Sequence, residues 1–289
     1  MVGASLWINR RIGKQDRRMK KQKSGALRGT QDAERDRQFV TALARGLDIL
    51  RCFTPSSSTL GTTDIARMTN MPQPTVWRLC HTMVQLGFLR SSGDGDKLQP
   101  GLPVLGLGYA VLSGHPISEL ARPYMQEIAD RHQGAVSLGA RDGLSMIYLQ
   151  RCQGSLVVLP GLRVGSRVPL AYSATGWAYI AGLPPAERKV LLAEIRKSEG
   201  KAFRETAARL ESALAAFEAT GFIINEGSLH EEINAVAVPV RTEDGSVALT
   251  LSSGGISAIF HKAKLDIIGE ELKALAAQLT PVISRTALN

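Results

Sequence analysis

Apolar residues recur at helical spacing in residues 71–90, where they fall at i, i+3, i+4, i+7 and i+10 and form one stripe along a helix. The stripe consists of Val76, Leu79, Cys80, Met83 and Leu86. Pro74 suits a first helical turn, and Gly87 suits the position just past the helix end. The pattern therefore predicts an amphipathic helix with a polar outer face.

Two shorter helices are predicted before this one. The first covers residues 39–53 and directs three leucines inward: Leu43, Leu47 and Leu50. The second begins at residues 62–64, Thr-Thr-Asp, where a hydroxyl or carboxylate is expected to cap the first amides. Asn70 then occupies a turn position that needs a left-handed backbone, which Asn tolerates better than most residues. The spacing predicts a helix-turn-helix pair.

After the third helix, residues 88–90 and 97–98 flank an Asp-Gly tip, which predicts a β-hairpin. Three helices and a hairpin form the plan of a winged helix-turn-helix, whose third helix enters the major groove of DNA. The outer face of that helix supplies six candidate DNA contacts: Gln73, Thr75, Trp77, Arg78, His81 and Thr82. The alternative is a small helical packing unit whose third helix is merely amphipathic.

The candidate contacts differ in their chemistry. Arg78 can pair bidentately with guanine, and Gln73 can do the same with adenine. Thr75 and Thr82 can reach phosphates, whereas Trp77 offers a flat apolar surface to a sugar or a thymine methyl. His81 carries less information, because a lone histidine is usually only a polar surface residue.

Residues 98–118 contain no Asp, Glu, Lys or Arg. Three prolines break this stretch, so its apolar run is shorter than the roughly 20 residues that a membrane span needs. We predict a linker helix within residues 99–116 that is buried against a second copy, in a homodimer or a dimer of dimers. A helix buried within its own chain is the alternative.

From residue 117 onwards, helical and extended patterns alternate. Strands are predicted at 136–140, 145–151, 155–160, 166–170, 222–224, 236–241 and 246–251. Helices are predicted at 118–132, 172–183, 185–195, 204–220 and 262–279. Ser118 is expected to cap the first of these helices, with Leu120, Tyr124 and Ile128 directed inward. The fold class is therefore α/β (α+β), with one antiparallel sheet and helices on its face, as in a sensor domain.

Charge and cysteine content change this picture little. The net charge is +9, but residues 1–30 carry nine Lys/Arg and one Asp, so the rest of the chain is nearly neutral. We interpret residues 1–38 as a basic disordered tail that either attracts phosphates non-specifically or is a solvated extension. The three cysteines lack CxxC spacing, which argues against a zinc site or a disulfide framework. No secretory signal pattern is present at the N-terminus.

The chain from about Phe39 to Thr280 resembles the IclR family of bacterial transcriptional regulators. The segments that carry the resemblance are ALARGLDILRCF, DIARMTNMPQPTVWRLCHTMVQLGFL, LAYSATGWAYIAGLPPAER and INEGSLHEEINAVAVPVRTEDGSVALTLSSG. The resemblance implies a winged helix-turn-helix over 39–98, a linker helix over 99–116 and a GAF-like effector-binding domain over 117–289. It also implies a small organic acid as effector, oligomers, and control of catabolic operons.

The resemblance places the effector at seven positions: Ser173, Ala174, Thr175, Asn225, Ala235, Thr250 and Ser252. Hydroxyls and amides at a helix N-terminus can donate to a carboxylate. Three positions depart from the family pattern, since Trp177 replaces a frequent cation, Asn225 a frequent acid and Ala235 a frequent cysteine. The alternative interpretation is that all seven are core residues of the sheet.

Two other function classes fit the sequence less well. An enzyme would have to use residues 230–232, His-Glu-Glu, with Ser173 and Cys152, but no motif spacing organises them, so we expect no catalytic residue, metal or cofactor. A ligand-independent architectural DNA binder would leave the sensor-like domain unexplained. The expected partners are double-stranded operator DNA, a small organic acid and RNA polymerase as a further candidate. No membrane association is expected, and the expected location is the cytoplasm, on the nucleoid.

Overall fold

The computed structural model describes residues 38–93, 97–114, 116–155 and 161–286. The basic tail predicted at 1–38 lies outside the described residues except for Gln38, as do the hairpin tip at 94–96 and most of the strand predicted at 155–160. The chain divides into two compact units between Val111 and Leu112, and each unit is described by itself.

The first unit contains three helices and a three-stranded antiparallel sheet of order β1–β3–β2. Its elements are α1 (Thr41–Leu50), β1 (Leu60–Gly61), α2 (Thr62–Thr69), α3 (Gln73–Gln85), β2 (Leu89–Ser92) and β3 (Lys97–Pro100). Ile49, Ile65 and Val76 meet in its core, one from each helix, and Leu89 of β2 joins them. The predicted helix-turn-helix fold with a β-hairpin after the third helix is confirmed.

Two of the three predictions about the ends of these helices agree with the structure. Asn70 ends α2 with a φ of 56°, and Gly87 follows α3 with a φ of 77°, so both adopt the left-handed backbone. The side-chain cap expected at the start of α2 is wrong, because its N-cap is Gly61, which has no side chain to cap with. The Thr63 hydroxyl instead accepts a hydrogen bond from Gln73 Nε2 at 3.2 Å, which joins α2 to α3.

The inward direction predicted for the leucines of α1 is wrong for two of them. Leu43 is 62% exposed and Leu47 is 47% exposed, while Gly46 and Ile49 are buried. Gly46 lies against α3, where a Cβ would be 3.2 Å from the Met83 methyl. Because α1 contacts α3 at this glycine, the buried stripe is rotated away from the larger leucines, and these form an exposed apolar face.

The helix α4 (Leu102–Ser113) lies within the predicted linker, and the division between the two units falls inside it. The second unit is built on a six-stranded antiparallel sheet of order β6–β5–β4–β9–β8–β7. The strands are β4 (Ala135–Asp142), β5 (Ser145–Gln153), β6 (Arg167–Pro169), β7 (Ile223–Glu226), β8 (Ile233–Arg241) and β9 (Val247–Ile256). The helices are α5 (Ile117–His132), α6 (Ala174–Gly182), α7 (Pro185–Glu199), α8 (Arg204–Thr220) and α9 (Lys262–Thr286).

Both faces of this sheet are covered, rather than the single face that the sequence indicated. One core contains residues of α5 and α9 packed on side chains such as Val136, Leu138 and Leu251. The other contains residues of α6, α7 and α8 packed on Met146, Tyr148 and other residues of the opposite face. Period-two alternation along each strand therefore assigns every strand residue to one of two different helix layers.

The packing of α5 also corrects the sequence interpretation. Leu120 and Tyr124 are exposed, whereas Ala121 and Met125 are buried together with Ile128. The helix begins at residue 117 behind Pro116, so the predicted capping residue Ser118 lies inside the helix and is buried. The buried stripe consists largely of small and flexible residues, because α5 packs closely against β5.

Val76 and Trp77 are neighbours on α3 with opposite environments, which provides a test of the packing. Val76→Asp places a carboxylate in the core of the first unit, so we expect its unfolding free energy to fall by about 4 kcal/mol or more. Trp77→Asp is the matched control and should change it by no more than about 0.5 kcal/mol. Hydrogen exchange of the amides of α1–α3 measures both effects, and equal protection in the two variants would contradict the packing.

Candidate nucleic-acid interface and effector site

The outer face of α3 is exposed and carries flat and hydrogen-bonding side chains. Trp77 is 59% exposed, and its ring stacks on that of His81 with centroids 5.4 Å apart and planes 12° apart. Gln73, Arg78 and Thr82 are exposed as well, and Thr75 is half-buried. The six candidate DNA contacts therefore lie on one short helix and leave its buried stripe to the core.

Two of these side chains are hydrogen-bonded within the described part of the protein, and the charged one, Arg78, is not. Thr82 donates to the Arg78 carbonyl at 3.1 Å, and Gln73 is bonded to Thr63. The Arg78 guanidinium has neither an ion pair nor a hydrogen bond with any residue that the structure describes. Arg78 thus keeps all five of its N–H donors for a nucleic acid. The roles of all six residues in DNA contact stay predictions.

The start of α6 is held by Ser173, the first of the predicted effector residues. The Ser173 hydroxyl accepts from the Gly176 amide at 3.1 Å and donates to the Pro169 carbonyl at 2.7 Å. A Cβ on Gly176 would lie 2.5 Å from the Leu170 Cα, so only glycine allows the helix to start this close to β6. Ala174 and Thr175 follow in the first turn, where amides have no partner within a helix.

Thr175 connects α6 to the sheet. Its hydroxyl lies 2.5 Å from that of Thr250 on β9, and Thr250 also donates to the Gly139 carbonyl at 3.4 Å. A Cβ on Gly139 would be 3.4 Å from both threonine hydroxyls, which is ordinary contact distance, so this glycine packs directly against the pair. Ser252 is buried two residues further along β9 and therefore faces the same helix layer.

Asn225 and Ala235 form a second group at the other end of the sheet. They are cross-strand partners in β7 and β8. The Asn225 amide nitrogen donates to the Tyr172 carbonyl at 3.1 Å, and its oxygen accepts from the Ser228 amide at 3.2 Å. Trp177 is buried and donates to the Ala171 carbonyl at 2.9 Å. Asn225 and Trp177 therefore hold the segment that leads into α6.

Three residues that the sequence analysis missed face the same helix layer. Arg151 donates from Nη1 to the Ser137 hydroxyl at 2.9 Å, and its guanidinium carbon lies 5.8 Å from the centre of the Tyr148 ring. Burial raises the pKa of Tyr148 and lowers the pKa of Arg151, although a guanidinium stays charged. The available sequence signal was a charged residue inside the apolar strand SMIYLQRCQ.

The residues considered for catalysis are not assembled. Cys152 belongs to the core of α5 and α9, whereas Ser173 leads into α6 on the opposite face of the sheet. The His230 Nδ1 accepts from the Glu232 amide at 3.4 Å within its own turn. Among the described residues there is no group of three or more His, Cys, Asp or Glu that could hold a metal ion. No described helix is long and apolar enough to cross a membrane.

Comparison with known proteins assigns both units. Residues 42–93 match the IclR helix-turn-helix domain, and residues 109–281 match the bacterial transcriptional regulator IclR C-terminal domain. The HTH-type transcriptional regulator TsaQ1/TsaQ2 of Comamonas testosteroni is 34% identical over 204 residues, which cover 69% of this chain and 72% of the relative.

Solved structures agree with this assignment. The crystal structure of an IclR family transcriptional regulator from Brucella abortus is 42% identical with a TM-score of 0.78, covering 86% of this chain and 94% of that one. An IclR homolog from Microbacterium hydrocarbonoxydans, complexed with 4-hydroxybenzoate, is 23% identical with a TM-score of 0.68, covering 83% and 98%, and shows the fold alone. The present chain belongs to the IclR family and is a DNA-binding transcriptional regulator, not an enzyme.

Proposed function

We propose that a small carboxylic acid controls operator binding by this regulator and that it binds between the first turn of α6 and the sheet. The observation that carries the proposal is the buried polar surface at this place. Ser173, Thr175, Thr250 and Ser252 are all buried there, so four of the buried polar side chains of the second unit lie at this one contact. Buried hydroxyls and first-turn amides can donate to a carboxylate, and the helix dipole favours its charge.

The proposed DNA reader is α3, with Arg78 as the main base contact. Arg78 has unused donors, and the Trp77–His81 stack beside it offers a flat surface to the sugar or base edge. Gln73 is oriented by Thr63, and Thr75 and Thr82 of the same helix are the proposed phosphate contacts.

We also propose that the protein is a dimer held together through α4 and the outer face of α1. No residue of α4 is buried in the single chain, and Leu102, Leu105, Leu107, Tyr109 and Val111 are all exposed. The exposed Leu43 and Leu47 of α1 add to the apolar surface. Because residues 98–118 contain no charged side chain, the surface suits a partner that is equally uncharged, such as the same helix in a second copy.

Removing the Arg78 side chain tests the DNA reader. Arg78→Ala should lower the affinity for an operator from the protein's own promoter region by about 1–3 kcal/mol, because a base contact is lost. Its affinity for a scrambled duplex should change much less. Arg196→Ala, at an exposed arginine on α7, is the matched charge control. Equal losses on both duplexes would assign Arg78 to the phosphates, and an unchanged operator affinity would show that α3 is not the reader.

Removing two hydroxyls tests the effector site. Ser252→Ala combined with Thr250→Val should abolish the response to the carboxylate while leaving operator binding without ligand intact. Ser253→Ala is the matched control, because Ser253 is equally buried but faces the other helix layer. Calorimetric titration with benzoate, 4-hydroxybenzoate and succinate measures the affinities. Equal ligand affinity in the double variant and the control would place the pocket elsewhere.

The same titration with operator present separates the regulator from an architectural DNA binder. Linkage requires the ligand and the operator to change each other's affinity by one coupling free energy, typically about 1–3 kcal/mol. If the ligand binds equally with and without DNA, regulation would have to act through contacts with RNA polymerase. If no carboxylate binds at all, the architectural alternative is favoured.

A charge on α4 tests the dimer. Leu105 is 70% exposed in the single chain, so Leu105→Glu should leave the fold intact and convert the dimer to monomers, because it would place two carboxylates in an apolar interface. Val190→Glu, at an exposed apolar residue of α7, is the matched control and should stay dimeric. Sedimentation velocity of both variants decides the matter, and a Leu105→Glu dimer of unchanged stability would contradict the proposed interface.

A further inference from the structure

A row of polar residues crosses three strands in the layer that α6 covers. The register pairs Ser137 on β4 with Arg151 on β5 and with Ser252 on β9. Directly paired residues of antiparallel strands have their Cβ atoms about 5 Å apart. The guanidinium of Arg151 and the hydroxyls of Ser137 and Ser252 therefore form one continuous polar strip. Ser137 and Ser252 are both buried.

The charge on this strip is not balanced within the protein. Arg151 forms no ion pair with a carboxylate in any part of the chain that the structure describes. Its Nε is buried and has no hydrogen-bond partner there. Arg151 as a whole is half-buried, but a buried N–H group such as its Nε is normally hydrogen-bonded, because removing it from water is costly. Arg151 therefore has unused hydrogen-bond donors and an unpaired charge within the described chain, both of which a bound anion would satisfy.

Arg151 and the start of α6 both contact β4, at positions two residues apart. Gly139 and Ser137 are two residues apart on β4, which is about 7 Å along a strand. Thr175 of α6 lies at Gly139, and Arg151 is bonded to Ser137. The Tyr148 ring packs against the guanidinium, and stacking of this kind leaves the N–H edges of an arginine free. A small acid on the strip can thus contact Arg151 while its other end reaches the first turn of α6.

We propose that Arg151 is the charged anchor of the effector site and binds the carboxylate of the ligand, with Ser137 and Ser252 donating their hydroxyls to the same group. This inference rests on the proposed function and adds its recognition chemistry. Nη1 is bonded to Ser137, whereas Nη2 has no hydrogen-bond partner among the described residues and is not enclosed as Nε is, so Nη2 is the donor that meets the carboxylate. The effector is then a compact monoacid or diacid, and the corresponding neutral amide is rejected because it leaves the arginine uncompensated.

The test compares Arg151→Gln and Arg151→Lys with Arg141→Gln. Arg141 is the matched control, because it also stacks on a tyrosine, Tyr179, at 5.6 Å, but it is exposed at the end of β4. Calorimetry uses benzoate, 4-hydroxybenzoate and succinate as probes and 4-hydroxybenzamide as the neutral analogue. Arg151→Gln should weaken carboxylate binding about 10- to 100-fold, as expected for a lost charged hydrogen bond. Arg151→Lys should be intermediate, and Arg141→Gln should match the unmodified protein.

Melting without ligand separates an anchor from a structural residue. Arg151→Gln should melt at the same or a higher temperature than the unmodified protein, because it removes a half-buried charge that has no ion-pair partner among the described residues. A clear fall in its melting temperature would assign Arg151 to the fold and overturn the inference. Unchanged carboxylate affinity in Arg151→Gln, with the operator response kept, would also overturn it while leaving the proposed function standing. If no probe binds the unmodified protein, both proposals fail.

Discussion

The docking of α6 on the sheet is the contact on which the candidate effector region depends. The paired hydroxyls of Thr175 and Thr250 are part of this contact, and the start of the helix requires Gly176, because a Cβ there would lie 2.5 Å from the Leu170 Cα. Because side chains alternate along a strand, a slip of one residue in β9 would replace Thr250 and Ser252 with the leucine and serine of the other core. The apolar core under α5 and α9 opposes such a slip. The apolar core on one face of the sheet therefore fixes the strand register on which the polar residues of the other face depend.

The division between the two units falls inside α4, and on the proposed function the apolar composition of this helix serves association with a second copy. A helix that is apolar on all sides is stable only when it is covered, and α4 is uncovered in the single chain. On the proposed function, a signal from the second unit reaches α3 either along α4 or through a second copy packed against it. Both routes use the same apolar residues. A change that weakens association is therefore expected to affect operator binding as well, even though it lies outside α3.

Local sequence patterns predicted most of the helices and strands. They failed where the direction or the partner of a side chain depends on residues that are distant in the sequence. The left-handed turns at Asn70 and Gly87 and the limits of α8 follow from turn chemistry and capping within a few residues. The direction of Leu43 was wrong because it depends on where α1 crosses α3. Arg151 was missed because its neighbour Ser137 is 14 residues away and comes next to it only through the strand register. The sequence signal for Arg151 was a single charged residue within an apolar strand, which an analysis of hydrophobic periodicity does not detect.

Two of the three departures from the family pattern, Asn225 and Trp177, acquire a consistent meaning with Arg151. Asn225 uses its amide nitrogen to donate to the Tyr172 carbonyl, a bond that an ionised aspartate could not make. The chain therefore has no carboxylate at this point, and Trp177 replaces a cation with a buried ring that anchors the helix. One negative and one positive group are absent together, so the charge of the region rests on Arg151 and the dipole of α6. Both favour an anion. On the proposed function, discrimination among acids then falls to the neutral side chains beside Arg151, chiefly the Tyr148 ring, which limit the size and shape of the acid that can bind.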